Sequence, residues 1–378
     1  MRILHLVSYS LYSGPLPPTV GLALAQRDLG HEVYLAYDSK RGAFNDFEEP
    51  AAPKLAVANL QAPWHFTLSA KSNFLEFWRD FYTLRKSAKQ GSLDIVHVHL
   101  SHDHLLAALA LSSLHSLACV RTIHAERSLH KRFGQAFLHR RAAAWITRAD
   151  IHREKLIKQF SVDANKVAVI PSGFNAIKWP HSSAAKRAEL RQHFLIPDNT
   201  AVVAHVALIA KRGQKELVSA LALIAAEQRP VVLFVGRGEG EADLHQHIAK
   251  LQMQPWVRFA GYLKGQELEN AYQCADVCFL AQPGNDASAR AILEAMAAQV
   301  AVVAVASGAI GELVTKKRGY PIISRDPDVI KQGILAALQD PQRSKRIEDA
   351  RQYVLNERSF TNEALATIDL YQRTLKKL

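Results

Sequence analysis

The sequence predicts an α/β protein built as two parallel-sheet units in tandem. The chain of 378 residues is more than twice the roughly 150 residues of an average domain. Short apolar runs of strand length alternate with helix-length segments over most of it, as in strands joined by crossover helices. The alternation breaks once, after Ile170, and then restarts. Hydrophobic residues at 48% and charged residues at 22% supply a packed core and exclude fibrous and disordered classes.

The opening MRILHLV has one arginine and an apolar run shorter than the roughly 7 to 15 residues of a signal-peptide core, so it reads as a first buried strand. A Ser/Gly/Pro loop is expected from Ser8 to Pro18, then a helix from Thr19, a good N-cap, to Leu29, closed by Gly30. Glu32 to Tyr37 completes a βαβ unit, and further strands are expected at Ile95 to Val98, Ala118 to Ile123 and Val167 to Ile170. Pro171-Ser172-Gly173-Phe174-Asn175 begins a linker that runs through a helical KRAELRQHF and a loop IPDNT. Strands are then expected at Ala201 to Val206, Val231 to Val235, Val257 to Phe259, Val277 to Leu280, Ala301 to Ala304 and Tyr320 to Ile323. The expected domains are residues 1–178 and 179–359, with 360–378 a C-terminal helix returning to the first. Ligands of open α/β sheets sit at the carboxyl ends of the strands, so two such edges facing across a cleft are expected.

Charge and cysteine content narrow the partners. Lys+Arg exceed Asp+Glu by 47 to 35, net +12. Residues 1–178 hold 22 and 14 of these, net +8, so the surplus sits mainly in the first unit and suits an anionic partner. No recognition helix, zinc finger or aromatic RNA-binding strand is visible, and nucleic acid is not expected. Cys119, Cys274 and Cys278 are too few for a disulfide framework, and Cys274 and Cys278 stand at helical rather than CxxC spacing, which argues for a cytoplasmic, reducing setting. The most apolar stretch, Leu105 to Val120, is interrupted by Ser112, Ser113, His115 and Ser116 and falls short of the roughly 20 residues that span a bilayer. From Lys71 to Lys89, Phe74, Phe77, Trp78, Phe81 and Leu84 recur at helical spacing with Arg79, Arg85, Lys86 and Lys89 around them. Such a helix either packs on the sheet or lies against anionic lipid. The run His97 to His104 has the His-x-His start of a metallo-hydrolase box, but its Asp103-His104 pair comes two residues late, so a strand-end loop lining the cleft is expected rather than a metal site.

The most informative segment runs from Gln282 to Glu312. Asp286 and Glu294 are eight residues apart, which on a helix separates them by roughly 12 Å. That is too far for an acid/base pair on one bond and suits gripping the two ends of a long ligand. The helix N-terminus between them, with Ser288 and Arg290, is a natural seat for a diphosphate.

This carboxylate-x7-carboxylate pattern, followed by Leu293-Glu294-Ala295-Met296-Ala297, resembles the signature of the retaining GT-B glycosyltransferases of glycosyltransferase family 4. The resemblance implies two Rossmann-like domains facing across a cleft, with Asp286 on donor-sugar hydroxyls and Glu294 on the ribose of the nucleotide. Further landmarks resemble the family in order. Gly14 stands where it has a glycine loop, Thr122-Ile123-His124 resembles the strand ending in a His beside the transfer site, and Pro171 to Asn175 resembles its Pro-Asn-Gly-Val-Asp junction. Gly236-Arg237-Gly238 matches its Gly-x-Gly turn, although the spacing alone fits a plain turn equally well. Two departures stand out: Ala207 replaces the expected Arg and Arg212 the expected Lys of the diphosphate clamp, leaving Lys211 or Arg290 to restore a lost charge.

By that resemblance the chain is a metal-independent hexosyltransferase without a cofactor. It would move a hexose or hexosamine, with retention, from a UDP- or GDP-sugar to a saccharide or lipid-linked acceptor, such as a cell-envelope polysaccharide or lipopolysaccharide. His124, Asp286 and Arg212 would be catalytic; Gly14, Lys211, Gly236, Ser288, Arg290 and Glu294 would bind substrate. A peripheral contact with an anionic membrane at the inner face is expected from the basic first unit. A nucleotide-sugar epimerase of the same fold and a non-catalytic nucleotide-sugar-binding relative are the alternatives.

Overall fold

The computed structural model describes residues 1–9, 14–38, 60–114, 117–130, 138–179, 183–197, 199–282 and 286–378, without the side chains of residues 127, 178 and 286–288. The chain divides into two compact units, Met1–Phe174 with Arg358–Leu378, and Asn175–Glu357.

The first unit holds a six-stranded parallel sheet of β1 (Arg2–Val7), β2 (Glu32–Tyr37), β3 (Ile95–Val98), β4 (Ala118–Ile123), β5 (Ala144–Thr147) and β6 (Val167–Val169), in the order β2-β1-β3-β4-β5-β6. Its helices are α1 (Leu16–Asp28), α2 (Phe74–Lys89), α3 (Ser101–Ala110) and α4 (Asp150–Phe160). Both faces of the sheet are covered, which is why its strands read as continuous apolar runs. Alternation along β1 divides the core. Ile3 and Val7 pack with Leu16, Val20 and Ala23 of α1, while Leu4 and Leu6 pack with Leu84 of α2 and Leu106 and Ala107 of α3. Each such buried Val, Leu or Ile side chain contributes about 1.5 to 3 kcal/mol.

The second unit repeats the scheme with β7 (Val202–Val206), β8 (Val231–Val235), β9 (Val257–Gly261), β10 (Val277–Leu280), β11 (Ala301–Val305) and β12 (Tyr320–Ile322), in the order β12-β11-β10-β7-β8-β9. Its helices are α5 (Ala184–His193), α6 (Gln214–Ala222), α7 (Glu241–Lys250), α8 (Gly265–Gln273), α9 (Asp286–Ala297), the short α10 (Ala309–Leu313), α11 (Pro327–Gln339) and α12 (Arg343–Glu357). The last helix of the chain, α13 (Phe360–Leu375), belongs to the first unit and packs on α1. Its first residue presses on two glycines: a Cβ at Gly21 would lie 2.3 Å from the Phe360 ring, and one at Gly173 2.5 Å from it. Glu363 of the same helix accepts from Arg148 at 2.6 Å and from the Gly173 N–H at 2.7 Å, in a pair whose side chains are 1% and 5% exposed.

Four local expectations are corrected. The loop expected to last until Pro18 ends at Pro15, and α1 starts at Leu16 with prolines in its first turn, where their fixed φ suits a helix and their missing N–H is not needed. Thr19, expected as the N-cap, is buried inside α1 and donates to the Pro15 carbonyl at 2.8 Å. The strand β5 was not foreseen: AWIT is short and carries no alternation, yet it sits buried between β4 and β6. The loop expected over His97 to His104 is instead the buried end of β3 followed at once by α3. There the Asp103 carboxylate accepts from the N–H groups of Ser8 at 2.9 Å and Leu100 at 2.8 Å.

Candidate functional site

In the second unit, β7 and β10 lie side by side while the chain proceeds to β8 and β9 on one flank and to β11 and β12 on the other. The carboxyl ends of β7 and β10 are therefore a topological switch point, where connections diverge and leave a crevice. Three of the expected site segments meet there. Arg212, in the loop after β7, donates through Nη1 to Gln282 Oε1 at 2.7 Å, just beyond the end of β10. Its own N–H donates to Gln214 Oε1 at 3.0 Å, and Gln214 donates back to the Leu208 carbonyl at 2.9 Å, so the loop is fixed at both ends. Gly213 holds a φ of +96°, and a Cβ there would come within 2.5 Å of that of Ala281. Lys211 is exposed beside it.

Helix α9 starts at Asp286, with its N-terminal dipole end following this crossing of loops. The side chains of Asp286 and Ser288 lie outside the described residues. Two turns along, Glu294 is only 4% exposed and accepts from Tyr272 Oη at 3.1 Å and from Arg290 Nε at 3.0 Å. Burial pushes its carboxyl above the usual range, against the Arg290 charge and both hydrogen bonds. The same burial pushes the Tyr272 phenol well up. Arg290, expected to serve a diphosphate, is thus joined to Glu294, with its side chain 55% exposed.

The Gly-x-Gly turn resolves toward packing. A Cβ at Gly236 would lie 2.1 Å from the Ala207 carbonyl oxygen, and one at Gly238 2.1 Å from that of Ile209. The N–H of Gly236 donates to the Gly261 carbonyl at 2.7 Å, and that of Gly238 to Glu241 Oε1 at 3.0 Å. Both amides are committed within the protein. Ala207, at the position of the expected Arg, is the backbone on which this turn rests.

In the first unit, Gly14 has a φ of +55° immediately before α1. His124, one residue beyond β4, is buried, and its Nε2 lies 2.9 Å from His99 Nδ1. Behind it stands a cluster that sequence reasoning did not assemble: His5, His97 and His99 are fully buried, with nitrogens within 4.8 Å of one another. Strand register could have revealed it, because His5 pairs with His97 across β1 and β3. A metal would have to compete for these nitrogens. His5 meets Gln26 and His99, His97 meets Thr122 and Tyr371, and His99 meets His5, Thr19 and His124. Burial holds all three imidazoles below the usual range, His5 at about 4. The cysteines are buried, and burial pushes the thiols of Cys119 and Cys274 up to about 12.

Residues 186–353 match the model of glycosyl transferases group 1, and residues 19–177 that of Glycosyltransferase Family 4. Solved structures align over the whole chain, among them a glycosyltransferase from Rickettsia africae at TM-score 0.79 and 18% identity, covering 100% of this chain and 99% of that one. The chain is a GT-B glycosyltransferase resembling family 4. The fold also matches Anabaena HepE in complex with UDP, at TM-score 0.78 and 19% identity over 100% of both chains. Among curated relatives, a GDP-mannose-dependent monoacylated alpha-(1-6)-phosphatidylinositol monomannoside mannosyltransferase of Corynebacterium glutamicum is 29% identical over 184 residues, 46% of this chain and 47% of that protein. The alpha-monoglucosyldiacylglycerol synthase of Streptococcus pneumoniae is 22% identical over 302 residues, 75% of this chain and 68% of its own length. The chain thus spans about half the length of the first of these relatives and two thirds of the second.

Proposed function

We propose that this GT-B chain transfers a hexose or hexosamine from a UDP- or GDP-sugar to a saccharide or lipid-linked acceptor of the cell envelope, without a metal and with retention of configuration. The observation that carries the reading is the switch point of the second unit. A fixed Arg212, a helix N-terminus and a buried Glu294 two turns away match the charge and length of a nucleoside diphosphate sugar. Arg212 and the α9 N-terminus would take the diphosphate, aided by Lys211 or Arg290, and so stabilise charge that builds on the leaving group. Glu294 would exchange its bond to Arg290 for ribose hydroxyls, while Asp286, Ser288 and His124 would serve the reacting sugar. Gly14 would let the backbone approach it, and Gly236 would shape the donor turn. No protein nucleophile is assigned, so the leaving phosphate itself would help deprotonate the acceptor hydroxyl.

A lipid-linked acceptor fits α2. Its buried side carries Leu84 and Ala88, while Phe74, Leu75 and Tyr82 are 75%, 78% and 65% exposed, with Arg79, Lys86 and Lys89 exposed around them. An apolar strip flanked by cations suits an anionic bilayer surface, which supports reading the protein as a peripheral enzyme of the cytoplasmic face. Among the described residues no helix is long and apolar enough to cross a membrane. The mannosyltransferase and diacylglycerol-glycoside relatives lend the lipid reading support.

Incubation with UDP-, GDP- and ADP-sugars, with and without glycolipid acceptors, tests the activity, and product NMR reads the anomeric outcome. Transfer that needs acceptor and gives the retained linkage is expected. Turnover of donor alone would indicate an epimerase, and an inverted linkage would refute retention.

A further inference from the structure

The histidines of the first unit form an ordered chain. Gln26 Oε1 lies 2.8 Å from His5 Nε2, His5 Nδ1 lies 3.0 Å from His99 Nε2, and His99 Nδ1 lies 2.9 Å from His124 Nε2. A carbonyl oxygen only accepts, so the His5 proton is on Nε2. A neutral imidazole with a proton on Nε2 has a lone pair on Nδ1, which must receive the Nε2–H of His99. The same step repeats, and His99 Nδ1 receives the Nε2–H of His124. The Thr19 hydroxyl, 2.8 Å from the Pro15 carbonyl and 3.2 Å from His99 Nδ1, can turn to either and does not reverse the sequence.

The amide at the head of the chain is itself held. Gln26 Nε2 donates to Tyr371 Oη at 3.3 Å, and Tyr371 Oη lies 2.6 Å from His97 Nδ1, to which it donates. His97 then carries its proton on Nε2, 2.7 Å from Thr122 Oγ1. Every one of these side chains except His124 is at most 1% exposed, and His124 is 6% exposed, so solvent has little access to supply a competing donor. Burial keeps His5 neutral down to about pH 4 and His99 neutral across the physiological range.

We propose that Gln26, acting through His5 and His99, fixes the tautomer and ring orientation of His124, making these three residues positioning residues for sugar transfer. The inference rests on the role of His124 given above, but its structural half stands apart from that role. A chain of this kind acts as an orienting shell does in other sites, removing alternative ring poses before substrate arrives. It also gives α1 and α13, which carry Gln26 and Tyr371, a function at the end of β4.

The test is a long-range nitrogen–proton NMR spectrum of the chain labelled at histidine nitrogens, at neutral pH. In the wild-type protein His5, His97, His99 and His124 should all appear as neutral Nε2–H tautomers. Gln26→Met, close to Gln in shape but without the acceptor or the donor, should leave His124 as a mixture of both tautomers. In the transfer assay it should lower kcat about tenfold and leave the donor KM within about twofold. If Gln26→Met does not fold, Tyr371→Phe supplies the second variant: it frees the amide to turn and should also yield mixed His124 tautomers. A wild-type His124 found as Nδ1–H or as the imidazolium overturns the inference. So does a Gln26→Met protein with mixed tautomers and unchanged kcat, because the chain would then be structural only. Mixed His124 tautomers in Gln26→Met, in a protein whose wild type never transfers sugar, would support the chain itself while sinking the proposed function, so the two failures are distinguishable.

Discussion

The carboxyl ends of the central strands hold opposite chemistry in the two units. The first unit gathers neutral imidazoles, His5, His97 and His99, each fully buried and bonded to a neighbour. The second gathers charge, with Arg212 fixed to Gln282 and Glu294 buried against Arg290 and Tyr272. The same sheet architecture therefore presents a neutral, directional hydrogen-bond network in one place and a polarised, anion-seeking one in the other. The proposed binding of a nucleoside diphosphate would belong with the second, where Arg212 and the start of α9 flank the switch point. The proposed preorganisation of the His124 ring would belong with the first, where burial removes the alternatives that water would offer.

Acid should separate the two units most strongly. His5, His139 and His205 have pKa values lowered by burial to about 4, and burial also holds His97, His99 and His104 well below the ordinary range. A histidine whose folded pKa lies below its unfolded value of about 6.5 stabilises the fold above pH 6.5, and that contribution is lost as pH falls toward and through 4. For a fully buried group such as His5 the loss reaches about 3 kcal/mol. Only His205 of these six stands in the second unit, where the raised carboxyl of Glu294 works in the opposite sense. Hydrogen exchange between pH 7 and 4 should show the first unit opening first; simultaneous loss of both would remove the contrast.

Glu363→Ala should come next, at about 4 kcal/mol, because it leaves Arg148 buried without its carboxylate. Its melt should lower the stability of the first unit and spare the second. Glu294→Ala should do the reverse, leaving the first unit intact and weakening donor affinity about 100-fold as its charged hydrogen bonds to ligand disappear. Calorimetry with UDP- and GDP-sugars reads that effect directly. Arg290→Ala should have the smallest effect on the fold, within about 0.5 kcal/mol for a half-exposed i,i+4 pair. A drop in turnover of about fivefold would keep Arg290 among the diphosphate ligands, whereas unchanged turnover would leave that charge to Lys211.

Most of the architecture was legible because buried parallel strands are continuous apolar runs. Val231–Val235 and Val277–Leu280 have the bounds their sequences suggest. What escaped was decided by distant neighbours. Ala144–Thr147 becomes a strand only because β4 and β6 flank it, and Thr19 loses its capping role to Pro15 one turn earlier. The Gly-x-Gly turn could not be apportioned from spacing, since its need for glycine comes from the backbone of Ala207 and Ile209, about 30 residues away. In the candidate site, Arg212 and Glu294 were readable from motif and helix spacing. The partners that define their state, Gln282 and Tyr272, were not, because they arrive from other elements. The histidine chain is the extreme case: His5, His99 and His124 are spread over 120 residues and meet only through strand register.

The central claim, that the second unit's switch point seats a nucleoside diphosphate sugar, is tested most directly by amide hydrogen exchange with and without UDP- and GDP-sugars at about 100 times their dissociation constants, where binding adds about 2.7 kcal/mol of stability. Slowed exchange is expected at residues 207–214 and in α9 up to Glu294 with one of the two donors, with that protection lost in Glu294→Ala. No protection with either donor, or protection confined to the first unit, would contradict it.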